Sequence, residues 1–144
     1  MSQCAYLGGK VIRQVLPLVS LPVGPDAPSL KRLLLPQGEL AQLYDATEGI
    51  RYLAAIELRE GNTRGNHYHK VKQEFLYVLQ GEVRLVVEDV ESKTRETAPL
   101  QPGDLAFIQT GVAHALQIVR PGLALEFSGA RFDAADIYRY PLDA

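Results

Sequence analysis

Short runs of alternating apolar and polar residues dominate the sequence from residue 39 to residue 128. In the run from Ile50 to Leu58 the charged side chains all fall on one parity, and the run from Val83 to Val87 alternates in the same way. A period of two is typical of half-buried β-strands. Glycines and prolines separate the runs, as turns between strands require. The pattern predicts an all-β sandwich or barrel, with a single turn of helix between residues 132 and 137.

The composition excludes several classes of protein. The chain has 144 residues, of which 47% are hydrophobic, so one domain with one core is expected. Fifteen Lys and Arg residues against 17 Asp and Glu leave a net charge of -2, without a basic stripe for nucleic acid. Cys4 is the only cysteine, so no intrachain disulfide supports secretion. No apolar run approaches the roughly 18 residues that a membrane span needs. We therefore expect a cytoplasmic protein with no nucleic-acid or membrane partner.

The three histidines all lie in the predicted β region. His67 and His69 are two residues apart, so on a strand they project from the same face. Glu74 begins the next strand after a short turn, and His114 begins a later one. Three imidazoles and one carboxylate that converge in a dry interior would hold a divalent transition metal and leave positions open for a ligand. Zinc, iron, manganese, nickel, cobalt and copper all suit this donor set.

The spacing of these residues resembles the first motif of the cupin superfamily. The motif consists of Gly61, His67, His69, Glu74 and Gly81, and the second cupin motif follows in Gly103, Gly111 and His114. Gln109 and Ile118 depart from the second motif at positions that are not ligands. The resemblance implies a cupin double-stranded β-helix, a jelly-roll barrel, in which His67, His69, Glu74 and His114 are the metal ligands.

A narrower resemblance lies in the run TRGNHYHK, residues 63–70. It is similar to the cupin domain of capsule and deoxysugar nucleotide-sugar epimerases and ketoisomerases. That resemblance implies a nucleotide-linked sugar as ligand, Arg64 and Lys70 as substrate-binding residues, and His67 or His69 as a base. Strict alternation puts Arg64 on the face opposite His67, so it reaches the pocket only if the strand has a bulge near Gly65. Tyr52 lies on the apolar parity of its strand and is the candidate catalytic acid beside His69.

Residues 1–30 differ from the rest of the chain. Four of the nine prolines fall there, at positions 17, 22, 25 and 28, together with six apolar residues between Val11 and Val19. This composition predicts an extended N-terminal arm with one edge strand, docked on the barrel or on a partner subunit, while residues 31–144 form the barrel and a short C-terminal tail. Phe75, Tyr77 and Leu79 share the parity opposite Glu74 and would face outward. Since such a stripe needs a cover, we expect a homodimer.

Three functions remain open on the sequence alone. The first is an isomerase or epimerase acting on a nucleotide-linked keto-sugar, which the TRGNHYHK run favours. The second is a metal-dependent oxygenase-type enzyme, which the complete set of three histidines and one glutamate favours. The third is a non-catalytic protein that binds a small molecule. One scaffold hosts many activities, so the fold alone does not separate them.

Overall fold

The computed structural model describes residues 2–142, which form twelve strands and two single 3₁₀ turns. The strands are β1 (Ser2–Tyr6), β2 (Val11–Val15), β3 (Leu18–Ser20), β4 (Lys31–Leu35), β5 (Gly38–Gln42), β6 (Tyr52–Leu58), β7 (Thr63–Tyr68), β8 (Glu74–Asp89), β9 (Arg95–Leu100), β10 (Asp104–Ile108), β11 (Val112–Ser128) and β12 (Tyr138–Arg139). The 3₁₀ turns are Leu7–Gly9 and Ala134–Asp136, and the second lies in the segment where the sequence predicts one turn of helix. Among the described residues no helix is long and apolar enough to cross a membrane.

Two long strands, β8 and β11, organise the barrel. They pair antiparallel along nearly their whole lengths, and each changes its second neighbour halfway. The first half of β8 pairs with β10 and the second half with β9. The first half of β11 pairs with β7 and the second half with β6. The halves thus belong to two facing layers, and the predicted all-β jelly-roll barrel is confirmed.

Glycines allow the two long strands to pass from one layer to the other. A Cβ atom on Gly122 would lie 2.0 Å from the carbonyl oxygen of Gln80, and one on Gly81 would lie 2.7 Å from that of Arg120. Gly81 also has a φ of +94°, which an L side chain rarely adopts. The register between β8 and β11 shifts at the same place. The absence of a side chain at these two positions lets the strands bend together.

The apolar residues of β8 that fill the barrel interior lie at even-numbered positions before Gly81 and at odd-numbered positions after it. Val78, Val83, Leu85 and Val87 are fully buried and form one cluster with residues of β6, β9, β10 and β11. Glu74 shares the parity of Leu76 and Val78 in the first half of the strand and is buried at its first position. The register of β8 therefore places the carboxylate of Glu74 among the apolar side chains of the interior.

The N-terminal region contains more strands than the sequence predicts. Instead of one edge strand, residues 2–30 contain β1, β2 and β3, and β2 lies between β1 and β10 of the main sheet. β3 pairs with β4 in a separate three-stranded sheet that crosses position 30. The proline signal was misleading because all four prolines lie outside these strands. The division into an arm of residues 1–30 and a barrel of residues 31–144 remains a prediction.

The outward stripe on β8 is covered in part by the chain itself. Tyr77 is only 2% exposed, because Leu16, Leu43 and Tyr44 pack around it. Leu79, at the end of the stripe, remains 43% exposed. Part of the cover thus comes from residues 41–44, beyond the segment 1–30.

Candidate metal centre

Four side chains from three parts of the barrel converge at one point. His67 lies on β7, His69 follows that strand, Glu74 begins β8 and His114 lies near the start of β11. Each offers one donor atom, and these atoms all lie within 4.8 Å of one another. Two ligands on opposite sides of a zinc-sized ion are about 4 Å apart, so the cluster has the dimensions of a coordination shell. His69, Glu74 and His114 are buried, and His67 is half-buried.

The tautomers of two histidines are defined by backbone carbonyls. The ring nitrogen Nδ1 of His69 lies 2.8 Å from the carbonyl oxygen of Asp136, and Nδ1 of His114 lies 3.1 Å from that of Val112. A carbonyl oxygen can only accept a hydrogen bond, so each Nδ1 carries the proton in a neutral ring. Each Nε2 then presents a lone pair, which is the arrangement typical of metal-bound histidines.

These lone pairs face the carboxylate of Glu74, and a cation is needed between each nitrogen and the oxygen that it faces. Nε2 of His69 lies 3.0 Å from Oε1 of Glu74, and Nε2 of His114 lies 3.1 Å from Oε2. Although it is this close to Glu74, Nε2 of His69 is buried without hydrogen-bond geometry to a partner. A proton or a metal ion would relieve this contact. The four residues therefore fit a divalent transition metal.

The charges of the cluster are strongly coupled. Burial, followed by the repulsion of His114 and His69, lowers the pKa of His67 to about 4, so this ring is neutral at pH 7. Burial opposes ionisation of Glu74, but the charge and hydrogen bond of His114 outweigh it, and the pKa of Glu74 lies far below its usual value. Burial likewise lowers the pKa of His114, while Glu74 raises it by more, so the net shift is upward. Glu74 is thus the ionised centre of the cluster.

Two charged residues that the sequence did not single out extend the cluster. Nζ of Lys72 is buried and lies 3.1 Å from Oε1 of Glu74 and 3.0 Å from Oε1 of Glu126. Burial and the nearby Glu74 carboxylate raise the pKa of Glu126. Lys72 lies in the loop between two candidate ligands, His69 and Glu74, and this position in the sequence could have identified it as a member of the site. Glu126 gave no signal, because apolar residues flank it on both parities of β11.

A β-bulge brings Arg64 to the same face as His67. In the pairing of β7 with β11, His67 lies opposite His114 but Gly65 lies opposite Ala115, so Asn66 is an extra residue. Gly65 has a φ of +94°, and a Cβ atom there would lie 2.7 Å from the carbonyl oxygen of His114. The extra residue reverses the alternation between positions 64 and 67. This is the bulge on which the sequence-based position of Arg64 depended.

The cluster opens into a cavity of about 230 Å³. Its polar walls come from three of the four clustered residues and from two further charged side chains, and its apolar walls come from the barrel core. The lining residues are Arg64, Gly65, His67, Glu74, His114 and Glu126 together with Ile56, Leu76, Ile108 and Leu116. A guanidinium, a carboxylate and three of the four candidate ligands thus share one half-apolar pocket, which is the usual composition of a small-molecule site.

The other two candidate residues, Tyr52 and Lys70, do not line this cavity. The ring of Tyr52 stacks on the ring of Phe132, with 6.0 Å between the two centroids. Nζ of Lys72 lies 4.2 Å from the centroid of the Tyr52 ring. Lys70 is exposed, with Nζ 4.4 Å from the centroid of Tyr138. Neither Tyr52 nor Lys70 is among the described residues that line the cavity. Their proposed roles as acid and substrate ligand stay predictions.

The loop between His69 and Glu74 is held by the C-terminal segment. The Asp136 carboxylate accepts hydrogen bonds from the backbone N–H groups of Lys70, Val71 and Lys72 at 2.8–3.2 Å. Burial would raise the pKa of Asp136, but these three donors outweigh it and the pKa is lowered. β12 continues this segment and pairs with β7, opposite Tyr68 and His67. The loop is thus attached to the tail by charged hydrogen bonds.

Comparison with protein families gives one match. The family model described as "Cupin domain" matches residues 55–126, which is half of the chain and includes all four candidate ligands. The curated proteins give no match.

Solved structures share the fold at low sequence identity. The Mycobacterium tuberculosis rmlC epimerase aligns with a TM-score of 0.74 at 11% identity, over 96% of this chain and 72% of that one. A 3,4-ketoisomerase from Helicobacter canadensis gives 0.68 at 17%, over 77% and 86%. The capsular polysaccharide assembling protein CapF from Staphylococcus aureus gives 0.58 at 20%, over 62% of this chain and 26% of that one. At these identities the likeness establishes a shared fold.

Proposed function

The chain belongs to the cupin family, and from that premise we propose that it is a metal-containing isomerase or epimerase of nucleotide-linked keto-deoxysugars. The supporting observation is that four donor side chains converge at one point and that three of them, those of His67, Glu74 and His114, line one cavity together with Arg64. The structural neighbours named as an epimerase and a 3,4-ketoisomerase support the same reaction class. The proposed setting is polysaccharide or deoxysugar biosynthesis.

The dimensions of the cavity suit part of such a substrate. Its volume of about 230 Å³ is smaller than the roughly 300–1,000 Å³ of sites that enclose whole drug-sized ligands. We propose that a single sugar ring enters the cavity and that the nucleoside diphosphate extends past Arg64. A guanidinium can donate two parallel hydrogen bonds to a phosphate. Arg64 would therefore contribute binding energy rather than chemistry.

The proposed reaction is proton transfer at a carbon next to the sugar ketone. A base takes the proton, the electron pair of the C–H bond moves toward the carbonyl oxygen, and a proton returned to the opposite face inverts the carbon. A bound divalent metal would supply Lewis-acid stabilisation of negative charge on oxygen. Nδ1 of His69 donates to the carbonyl oxygen of Asp136, and its Nε2 lies 3.0 Å from Oε1 of Glu74, which favours a ligand role for His69. We therefore propose Glu126, which lines the cavity, as the proton acceptor, and retain Tyr52 as the proposed acid.

The test is solvent exchange in deuterated water. Metal-loaded protein is expected to introduce deuterium at C3 or C5 of a nucleotide-linked 4-keto-6-deoxysugar, detected by NMR and mass spectrometry. Glu126→Gln should slow exchange by about 10²-fold or more, which is the usual contribution of a general acid or base to the rate. Glu82→Gln is the matched control, because Glu82 pairs with Arg120 on the surface. Absence of both exchange and binding for several such sugars, with metal bound, would refute the proposal.

The complete set of three histidines and one glutamate also supports a second candidate, a metal-dependent oxygenase. This alternative predicts dioxygen uptake by the Fe(II)-loaded protein with a small organic substrate. Ligand binding without exchange or oxygen uptake would instead indicate a non-catalytic binding protein.

A further inference from the structure

Asp136 is a buried carboxylate outside the barrel strands that contacts the candidate metal centre through two different groups. Its backbone carbonyl accepts the Nδ1 proton of His69 at 2.8 Å. Its side chain is buried and accepts hydrogen bonds from three consecutive backbone N–H groups, those of residues 70–72. One residue of the C-terminal segment thus holds a candidate ligand and the loop that follows it.

This loop connects two members of the cluster. It begins after His69 and ends at Glu74, so its conformation determines the distance between their donor atoms. The same loop carries Lys72, whose ammonium group lies between Glu74 and Glu126. Oδ1 of Asp136 accepts from Lys70 and Val71, and Oδ2 accepts from Val71 and Lys72, so both oxygens are used by the loop. Successive N–H groups that converge in this way favour an anion over a neutral amide.

We propose that Asp136 is a positioning residue of the metal centre, acting through the tautomer of His69 and the conformation of residues 70–72. The inference rests on the metal-binding part of the proposed function and is independent of the substrate. Groups that orient metal ligands from outside commonly change metal affinity by about 10–100-fold when they are replaced. The C-terminal segment is then part of the site, although none of the four ligands lies in it.

The experiment compares Asp136→Asn with Asp133→Asn in the full chain. Asparagine at position 136 keeps one acceptor oxygen but loses the charge and the second acceptor. Asp133 is an exposed carboxylate that caps the same 3₁₀ turn, and within residues 2–142 its side chain accepts from the backbone N–H of Ala135 alone, so it is the matched control. Apo proteins are titrated with Co²⁺, and the dissociation constant and visible absorption spectrum are recorded. Asp136→Asn should weaken binding about 10–100-fold and alter the spectrum, whereas Asp133→Asn should match wild type.

The other outcomes separate the two proposals. Absence of Co²⁺ binding by the wild-type protein would overturn the metal centre itself. Wild-type affinity and spectrum in Asp136→Asn, with or without a lower melting temperature, would overturn the positioning role. A second measurement needs no variant: ¹⁵N NMR of the wild-type protein should show His69 protonated at Nδ1, with the Nε2 resonance shifting on addition of Zn²⁺. The opposite tautomer would overturn the inference even if Asp136→Asn does not fold.

Discussion

His67 differs from the other two histidines of the cluster in its surroundings. It lines the cavity and is half-buried, whereas His69 and His114 are buried and donate to backbone carbonyls. Its lowered pKa, about 4, keeps the ring neutral at physiological pH, which is the form that binds metal. His67 is therefore the most exposed of the four candidate ligands.

Replacing His67 and His69 together by alanine is expected to abolish metal binding, because it removes two of the four donors. Wild-type protein purified without chelator should contain about one divalent ion in a four-ligand site of this kind. The double variant should retain less than about a tenth of an equivalent by elemental analysis, since two donors do not make such a site. Lys70→Ala, which removes an exposed side chain beside the same strand, is the control and should keep its metal. Equal metal content in the double variant and the wild type would contradict the assignment.

The sequence indicates the four residues that the structure brings together, but it does not indicate their charged neighbours. A two-residue interval puts His67 and His69 on one face of a strand. The resemblance to the two cupin motifs adds Glu74 and His114 to the candidate ligands. Lys72 and Glu126 meet only in three dimensions, through a loop and a strand that are 54 residues apart. Nothing local distinguishes Glu126 from a surface residue, since both faces of its strand carry apolar neighbours.

Strand β7 shows how one extra residue changes a site. Alternation predicts opposite faces for Arg64 and His67, and the bulge at Asn66 reverses that prediction. The sequence marks a glycine there but does not give the register of the partner strand, which decides whether a bulge forms. The long strands β8 and β11 show the same limit, because each appears in the sequence as two separate runs.

Gly65→Ala is expected to destabilise the protein and weaken the metal centre. The new methyl group would meet the backbone of His114 in a conformation with φ of +94°, at a cost of about 1–3 kcal/mol. Gly61→Ala is the matched control, since Gly61 has a φ of +80° but open space around the added Cβ. Urea unfolding gives the stability of both variants, and Co²⁺ titration gives their metal affinity. Since only the added methyl group at position 65 meets the His114 backbone, the comparison separates the effect of backbone strain from that of this steric clash. Equal loss of stability and of affinity in the two variants would show that close approach to β11 is not needed.

The whole molecule is a barrel with an incompletely covered outer face. Cross-strand pairs place Leu53, Phe127 and Phe75 side by side on β6, β11 and β8, and Leu79 and Leu123 lie farther along the same strands. Leu53, Leu79 and Leu123 are exposed, while residues 41–44 cover only the centre of this face. The sequence predicted the stripe because parity is local. It did not predict the part of the cover that residues 41–44 supply, which depends on how a distant hairpin packs.

The protein is expected to be a homodimer, because an exposed apolar face of this kind is rarely left open on a monomer. Deleting residues 1–30 should cause aggregation or loss of the dimer. It removes β1 and β2, which leaves β10 as an unpaired edge, and it removes Leu16, which packs against Tyr77. Light scattering coupled to gel filtration measures both states, and Val71→Ser, at an exposed apolar side chain in the loop after β7, is the control that should leave the mass unchanged. A monomeric wild-type protein, or a deletion variant with unaltered mass and solubility, would contradict this expectation.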